Sequence, residues 1–336
     1  MDYIVLVAPF LFVALIFISL VLLLKKFYKT GVILFLLSIV FNEYTESVPF
    51  NLNFDDEKGD LKVLSYNMFS SSDYFKSVEK NPKEMTEFLL AQDADVIILH
   101  EYFIYSCGAL KDSLIKVYPY YGQQEEFDCS IAIFSKYEMT PLEDLYLDLE
   151  NNEWVVNKMN QAEAYDHLRS MNPHRAVSST TLKIGNDSVR LIAAHLASNH
   201  FDKSREEMSG TDLRKREKTK NFLKCLKAGR IEREVEIQAI MKEVRELNAK
   251  GQKVIIAGDM NDVSGSSTLK NLQKDGILKN AWWEKGFGMG LTFHSHKVMH
   301  FRIDHMLYTD NIKLKNISVL SQNFSDHNAL VSNFDL

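Results

Sequence analysis

From Tyr3 to Leu24 the chain carries no charged residue. A helix over that run, at 1.5 Å per residue, covers roughly 30 Å, the thickness of a bilayer's hydrocarbon core. Soluble helices rarely run about 20 residues with no polar face, so a buried core helix is a poor reading. A cleavable signal peptide is the competing reading. No basic stretch precedes the run and no clear small-x-small cleavage site follows it, which ranks that reading second. Lys25, Lys26 and Lys29 come next, then a shorter apolar run from Gly31 to Phe41. Residues 1–44 are therefore expected to be a membrane anchor with two hydrophobic segments, about 3–24 and 28–42. The lysines between them belong on the cytoplasmic side by the positive-inside rule, which leaves the rest of the chain outside the cytoplasm. The second segment is short for a span.

Residues 45–60 are polar and acidic and read as a linker. From Leu61 onward short apolar strands alternate with polar connections. Strands are expected over Leu61–Met68, Asp95–His100, Ser130–Phe134, Lys253–Ala257, Arg302–Tyr308 and Ala329–Phe334. Ser178–Ile184 and Ser188–Ala194 flank Gly185-Asn186-Asp187 and read as a hairpin. Asn81-Pro82 opens a helix with Met85, Phe88 and Leu89 inward. Many strands with few helices between them suggest two sheets packed face to face, with helices outside.

A charged segment at about 204–250 breaks this rhythm. Ile237, Ile240, Met241, Val244 and Leu247 follow amphipathic-helix spacing. Arg214, Lys215, Arg216, Lys218, Lys220, Lys224, Lys227 and Arg230 form a basic cluster upstream, either a solvated helix face or a phosphate- or membrane-attracting one. The net charge of -6 argues against a protein coated with basic residues for nucleic acid. The three cysteines, Cys107, Cys129 and Cys225, show no metal-ligand spacing. That excludes a zinc ribbon and a disulfide-stapled mini-fold. Cys107 and Cys129 are either two buried thiols or, outside the cytoplasm, a disulfide.

Polar residues recur where the buried strands end: Asn67, Glu101, His195, Asp259 with Asn261, Asp304, and Asp326 with His327. One such residue is ordinarily a turn former or a satisfied structural histidine. Their repetition at one kind of boundary marks a site, because converging strand ends are where rigid sheets carry chemistry.

The strings LSYNM, ILHE, AAHL, AGDMN, RIDHM and SDHN resemble, in order, the motifs of the endonuclease/exonuclease/phosphatase superfamily, the DNase-I-like fold. The resemblance runs from Leu61 to the C-terminus. It implies a four-layer α/β sandwich, two mainly antiparallel sheets flanked by helices, here behind N-terminal transmembrane helices and with a charged helical insertion. It also implies a metal-dependent phosphoester hydrolase using Mg²⁺ or Mn²⁺. By the same resemblance Glu101 looks like the chief metal ligand, with Asn67 beside it and Asp326 a ligand for a second ion. Asp259 and Asn261 resemble the pair that positions the attacking water and the phosphate. His327 looks like the general base or phosphate contact, with Asp304 orienting its ring, and His195 would hydrogen-bond a phosphate oxygen. Arg175 is a further candidate for the substrate.

Two departures stand out. His305 follows Asp304 where an aromatic is usual, and the 204–250 segment is longer than in compact nucleases. That length resembles an insertion in bacterial membrane-anchored members. The expected partners are the membrane and a phosphodiester: nucleic acid, lipid headgroup or nucleotide-like molecule. No protein partner is evident. A lipid-headgroup phosphodiesterase of the sphingomyelinase type and a non-catalytic phosphate-binding module on the same scaffold are the alternatives.

Overall fold

The computed structural model describes residues 2–52, 58–68, 82–102, 107–124, 130–145, 177–198, 212–295, 299–323 and 325–336. Its helices are α1 (Asp2–Leu24), α2 (Tyr28–Thr45), α3 (Pro82–Ala91), α4 (Gly108–Leu114), α5 (Asp212–Asn248), α6 (Ser267–Gln273) and α7 (Ala281–Lys285). The strands begin with β1 (Leu61–Asn67), β2 (Val96–Tyr102), β3 (Tyr120–Gln123), β4 (Ser130–Ser135), β5 (Glu138–Met139) and β6 (Glu143–Asp144). They continue with β7 (Val177–Ile184), β8 (Asp187–His195), β9 (Lys253–Asp259) and β10 (Leu278–Asn280). The last are β11 (Phe293–Ser295), β12 (Met299–Phe301), β13 (Asp304–Thr309), β14 (Lys313–Leu320) and β15 (Ala329–Asp335).

Two large sheets form, in the orders β14-β15-β1-β2-β4-β3 and β10-β13-β9-β8-β7-β5, with β6 also on β7, and β11 and β12 pair as a separate two-stranded ribbon. Among the described residues only β1/β2 and β8/β9 pair in parallel. Strand parity explains the layers. Val63, Val96, Ile98 and Ile133 of the first sheet meet Leu191, Ala193, Ile255, Ala257 and Met306 of the second in a central core. Their sequence neighbours face the other way. Leu64, Tyr66, Ile97 and Leu99 pack under Met85 and Leu89 of α3 and Leu110 and Leu114 of α4. Ile192, Val254 and Ile256 pack under Ile237, Ile240, Met241 and Val244 of α5. Strands apolar on both faces give continuous runs such as KVIIA rather than alternation. Each buried Leu, Ile or Val contributes roughly 1.5–3 kcal/mol. The fold is the expected four-layer sandwich.

The first two helices form a hairpin. Val5, Ala8, Phe12 and Ser19 of α1 and Gly31, Ser38, Asn42 and Thr45 of α2 are buried. Ser19 Oγ donates to the Gly31 carbonyl at 2.7 Å. Small residues at the seam let the two backbones approach, as in helix pairs within bilayers. Phe17, Leu24, Ile33, Leu36, Leu37 and Val40 are exposed. Among the described residues one helix, Ile4–Leu24, is long and apolar enough to cross a membrane. The second expected segment is helical, but Lys29, Asn42 and Glu43 dilute it, and it does not reach that standard alone.

Residues 46–52 of the expected linker lie along the domain. Asn42 clamps Val48 through both its amide groups, and Asn51 donates to the Trp283 and Gly286 carbonyls. Cys107 is buried under the first sheet, and Cys129 lies outside the described residues.

Candidate functional site

Strand register brings the site together. His195 pairs with Asp259 across β8/β9, and Asp304 pairs with Asp259 across β9/β13. Residues directly opposite on neighbouring strands point to one face, so the three side chains converge. From the other sheet come Asn67 at the end of β1 and Glu101 in β2. The β2/β4 ladder shifts register between Leu99 and Tyr102, and Glu101 takes φ 52°, a left-handed conformation. Such a bulge re-aims a side chain, and a non-glycine residue held there costs on the order of 1–3 kcal/mol. Asn261 also has positive φ, 50°, in a turn closed by its own N–H on Asp259 Oδ1 at 2.8 Å.

Asn67 Nδ2 joins the sheets, donating to Asp259 Oδ2 at 3.0 Å and Glu101 Oε1 at 3.2 Å. His195 Nε2 lies 3.7 Å from Glu101 Oε1 and 3.8 Å from Asp259 Oδ2. His327 Nδ1 lies 2.8 Å from Asp304 Oδ2, while its Nε2 faces Asp259 Oδ2 at 3.7 Å and Asp326 Oδ1 at 3.9 Å. The structure thus gathers Asn67, Glu101, His195, Asp259, Asp304, Asp326 and His327. Asn261 adjoins them, but its side-chain amide donates to the Leu196 carbonyl and so ties the β9 loop to the β8 loop. Arg175 lies outside the described residues, as do the side chains of the basic cluster except Lys227 and Arg230.

Burial sets the protonation of this cluster. It works against a charged His327, yet Asp304 and then Asp259 outweigh it and lift the imidazole to about 10. Burial also pushes Asp304 up, but the His327 charge and hydrogen bond hold it below the usual carboxylate range. Asp259 is raised by burial and by Asp304. Asp326 is pushed up to about 7 by burial, against the pull of His327. Among the described residues, Asp304 Oδ1 and Asp326 Oδ1 are buried and accept no hydrogen bond.

Several supports were not read from the sequence. Ser325 Oγ accepts from the His327 N–H and donates to the Asn67 carbonyl, tying two motifs from opposite ends of the domain. Thr292 Oγ1 accepts from the backbone N–H of Ile303 and Asp304. Phe293 packs on the His327 ring, with centroids 5.0 Å apart. His100 is fully buried behind the site on Ser65 Oγ, and burial, with His195, depresses it to about 3. His305, the departure after Asp304, points away from the His327 ring. Its Nε2 lies 3.0 Å from the Asp262 carbonyl. From α5, Arg233 donates to the Ala197 carbonyl and pairs with Asp262 at 3.3 Å, so the charged segment braces the loops after β8 and β9. Ser325 opens the SDHN string and Asp262 directly follows AGDMN, which was the available signal for each; Arg233 and Thr292 lie too far along the chain to carry one.

The model of the Endonuclease/Exonuclease/phosphatase family matches residues 227–327. No curated protein matches the chain by sequence. Solved structures share the fold at low identity. Truncated TDP2 from Caenorhabditis elegans is 17% identical with a TM-score of 0.55, over 82% of this chain and 97% of that one. A mannosyl-6-phosphatase from Bacteroides thetaiotaomicron is 14% identical with a TM-score of 0.55, over 82% and 100%. The Neisseria 3′ phosphatase NExo, bound to a product DNA hairpin, is 16% identical with a TM-score of 0.53, over 82% and 100%.

Proposed function

With the resemblance to the endonuclease/exonuclease/phosphatase superfamily present in both motif order and fold, we propose that this chain is a membrane-anchored hydrolase of phosphoester bonds. It acts as a phosphodiesterase and requires Mg²⁺ or Mn²⁺. The observation that carries the reading is the largely buried set of four carboxylates, Glu101, Asp259, Asp304 and Asp326, around the His327 imidazolium. That charge imbalance, with two carboxylate oxygens accepting no hydrogen bond, suits a hard divalent cation.

Glu101, Asn67 and Asp326 are the residues that would hold the ion. The Asn67 amide nitrogen donates to Glu101 and Asp259, which holds its side chain among these carboxylates. Asp259, Asp304 and His327 also bring ligand-capable atoms within 4.8 Å of one another. In that group His327 turns Nδ1 to Asp304, so only its Nε2 faces Asp259 and Asp326. A bound Mg²⁺ or Mn²⁺ supplies Lewis acidity to the phosphoryl oxygens and neutralises charge that builds on them.

The chain's own residues do the rest. Asp259, with its raised pKa, orients the attacking water and takes its proton as the new P–O bond forms in line with the breaking one. His327, held in one ring orientation by Asp304, presents Nε2–H to a phosphoryl oxygen, and His195 does so from the opposite side. Asn261 fixes the two loops that carry Asp259 and His195. The retained carboxylates argue against a non-catalytic binding module.

The test uses the full chain in detergent with bis-p-nitrophenyl phosphate, plasmid DNA, RNA and sphingomyelin. Turnover of the chromogenic diester that EDTA abolishes and Mg²⁺ or Mn²⁺ restores is expected; no turnover of any substrate would sink the reading. For topology, protease added to intact spheroplasts should digest the domain, and complete protection would place it in the cytoplasm.

A further inference from the structure

The anchor hairpin meets the catalytic domain at its active-site end. The first turns of α1, at Val5, Leu6, Pro9 and Phe10, line a small cavity with Val263 and Ser264 and with His300, Phe301 and Arg302. Val263 lies two residues after Asn261, and Arg302 two before Asp304; two extended residues span roughly 7 Å. At the return of the hairpin, a Cβ on Gly265 would come within 2.6 Å of the Thr45 carbonyl oxygen, so the backbones are in contact there.

The joint is pinned. The buried Arg302 guanidinium donates to the carbonyls of Glu46 and Met289 and to Ser264 Oγ, and it lies over the Trp282 ring. Gly288 N–H donates to the Pro49 carbonyl. A loose linker would let the domain tumble; these contacts fix its attitude.

Around the joint lies an apolar rim. Phe50, Leu52 and Phe287 are 59%, 75% and 48% exposed. The Phe50 ring contacts Phe12 of α1 at 5.8 Å and Phe287 at 6.3 Å, and Phe50 lines one cavity with the exposed Phe35 and Ile39 of α2, so the rim adjoins the apolar surface of the hairpin. Aromatic residues collect where a membrane protein crosses from hydrocarbon to headgroups. The opposite end of the sandwich carries the Gly185-Asn186 turn and Lys250, which are exposed and polar.

We propose that the catalytic domain rests on the bilayer by its active-site end, with Phe50, Leu52 and Phe287 as its contact with the lipid headgroup layer. The inference rests on the proposed membrane anchor. The hydrolytic centre then faces the membrane surface across the Val263–Gly265 loop and the end of β12 at His300–Arg302 instead of projecting into bulk solvent.

The test places p-benzoylphenylalanine at Leu52, Phe287, Asn186 or Lys250 of the full chain, in vesicles of phosphatidylethanolamine and phosphatidylglycerol. Lipid adducts after irradiation are read by mass spectrometry. Retention after an alkaline carbonate wash reports the anchor separately, and turnover of bis-p-nitrophenyl phosphate reports the chemistry. Adducts at Leu52 and Phe287, several-fold above those at Asn186 and Lys250, are expected. Protein that survives the wash yet gives adducts equally at all four positions, or at neither Leu52 nor Phe287, would overturn the orientation while leaving the anchor standing. Release by the wash would overturn both.

Discussion

His327 Nδ1 lies 2.8 Å from Asp304 Oδ2 with both side chains buried, and the other ring nitrogen is turned toward Asp259. If the two act as one unit, His327→Ala should lower kcat by about 10²–10⁴-fold, the usual yield of a positioned proton-transfer or charge-stabilising group, with Mg²⁺ affinity largely kept. Asp304→Asn should fall in the same direction, because the amide cannot support the imidazolium. The double variant should be little worse than His327→Ala alone. Losses that multiply would show independent roles, and kcat unchanged per folded molecule would reduce the pair to packing.

Glu101 tests the metal assignment. Its side chain is partly exposed and it is turned toward the cluster by a bulge, so Glu101→Gln removes ligand charge and little core volume. Loss of the cation forfeits several kcal/mol of transition-state stabilisation, or on the order of 100-fold or more in rate. Calorimetric titration should show weakened Mg²⁺ binding at an unchanged melting temperature. Full activity in this variant would remove Glu101 from the ion.

At Gly258 the backbone of β9 packs closely on its neighbours behind the site. Its φ is 148°, and an added Cβ would lie 1.9 Å from the Ala194 carbonyl oxygen and 2.7 Å from the His100 ring. Gly258→Ala should therefore destabilise by at least ~1–3 kcal/mol through overpacking and backbone strain, lowering the melting temperature by several degrees. A melting temperature within a degree of the parent would mean that the seam gives way more easily than these contacts imply.

Much of this was legible in the residues. Apolar runs gave eight strands to within a few residues, four of them ending at or next to Asn67, Glu101, His195 and Asp259, since strands buried on both faces leave an uninterrupted signal. The motif strings named the site's main side chains, because their chemistry forces particular residue types onto strand ends. Edge strands such as β3 and β14 were not seen. Tyr120–Gln123 is short, and the solvent face of Lys313–Leu320 is too polar to stand out. The Asn261 amide also donates to the Leu196 carbonyl, a loop contact that no local pattern announces. Residues 46–52 read as a linker because their polar groups bond carbonyls more than 200 positions away, as Asn51 does at Trp283 and Gly286.

The pH dependence of stability follows from the brace on α5. Glu236 is buried, accepts a hydrogen bond from the Ala197 N–H, and is raised by burial to about 8; Glu232, one turn earlier, is raised by burial to about 7. A carboxyl whose folded pKa exceeds its unfolded value binds its proton more tightly in the folded state. Its contribution is complete below about 4.5 and is lost as pH rises through 7 to 8. His100 and His305 work from the other side. Both are depressed by burial to about 3, so their contribution is complete above about 6.5 and is lost as pH falls. The melting temperature should therefore peak in the mildly acidic range and decline on both sides. Glu236→Gln keeps the hydrogen-bond acceptor but cannot ionise. It should flatten the alkaline limb between pH 6 and 9, by an amount on the order of a few kcal/mol at most, since a tenfold change in proton affinity is worth about 1.4 kcal/mol. The acid limb should stay as it was. An alkaline limb equally steep in Glu236→Gln would show that this carboxyl ionises in the folded protein at its ordinary pH, and that Arg233 neutralises it more fully than its burial allows.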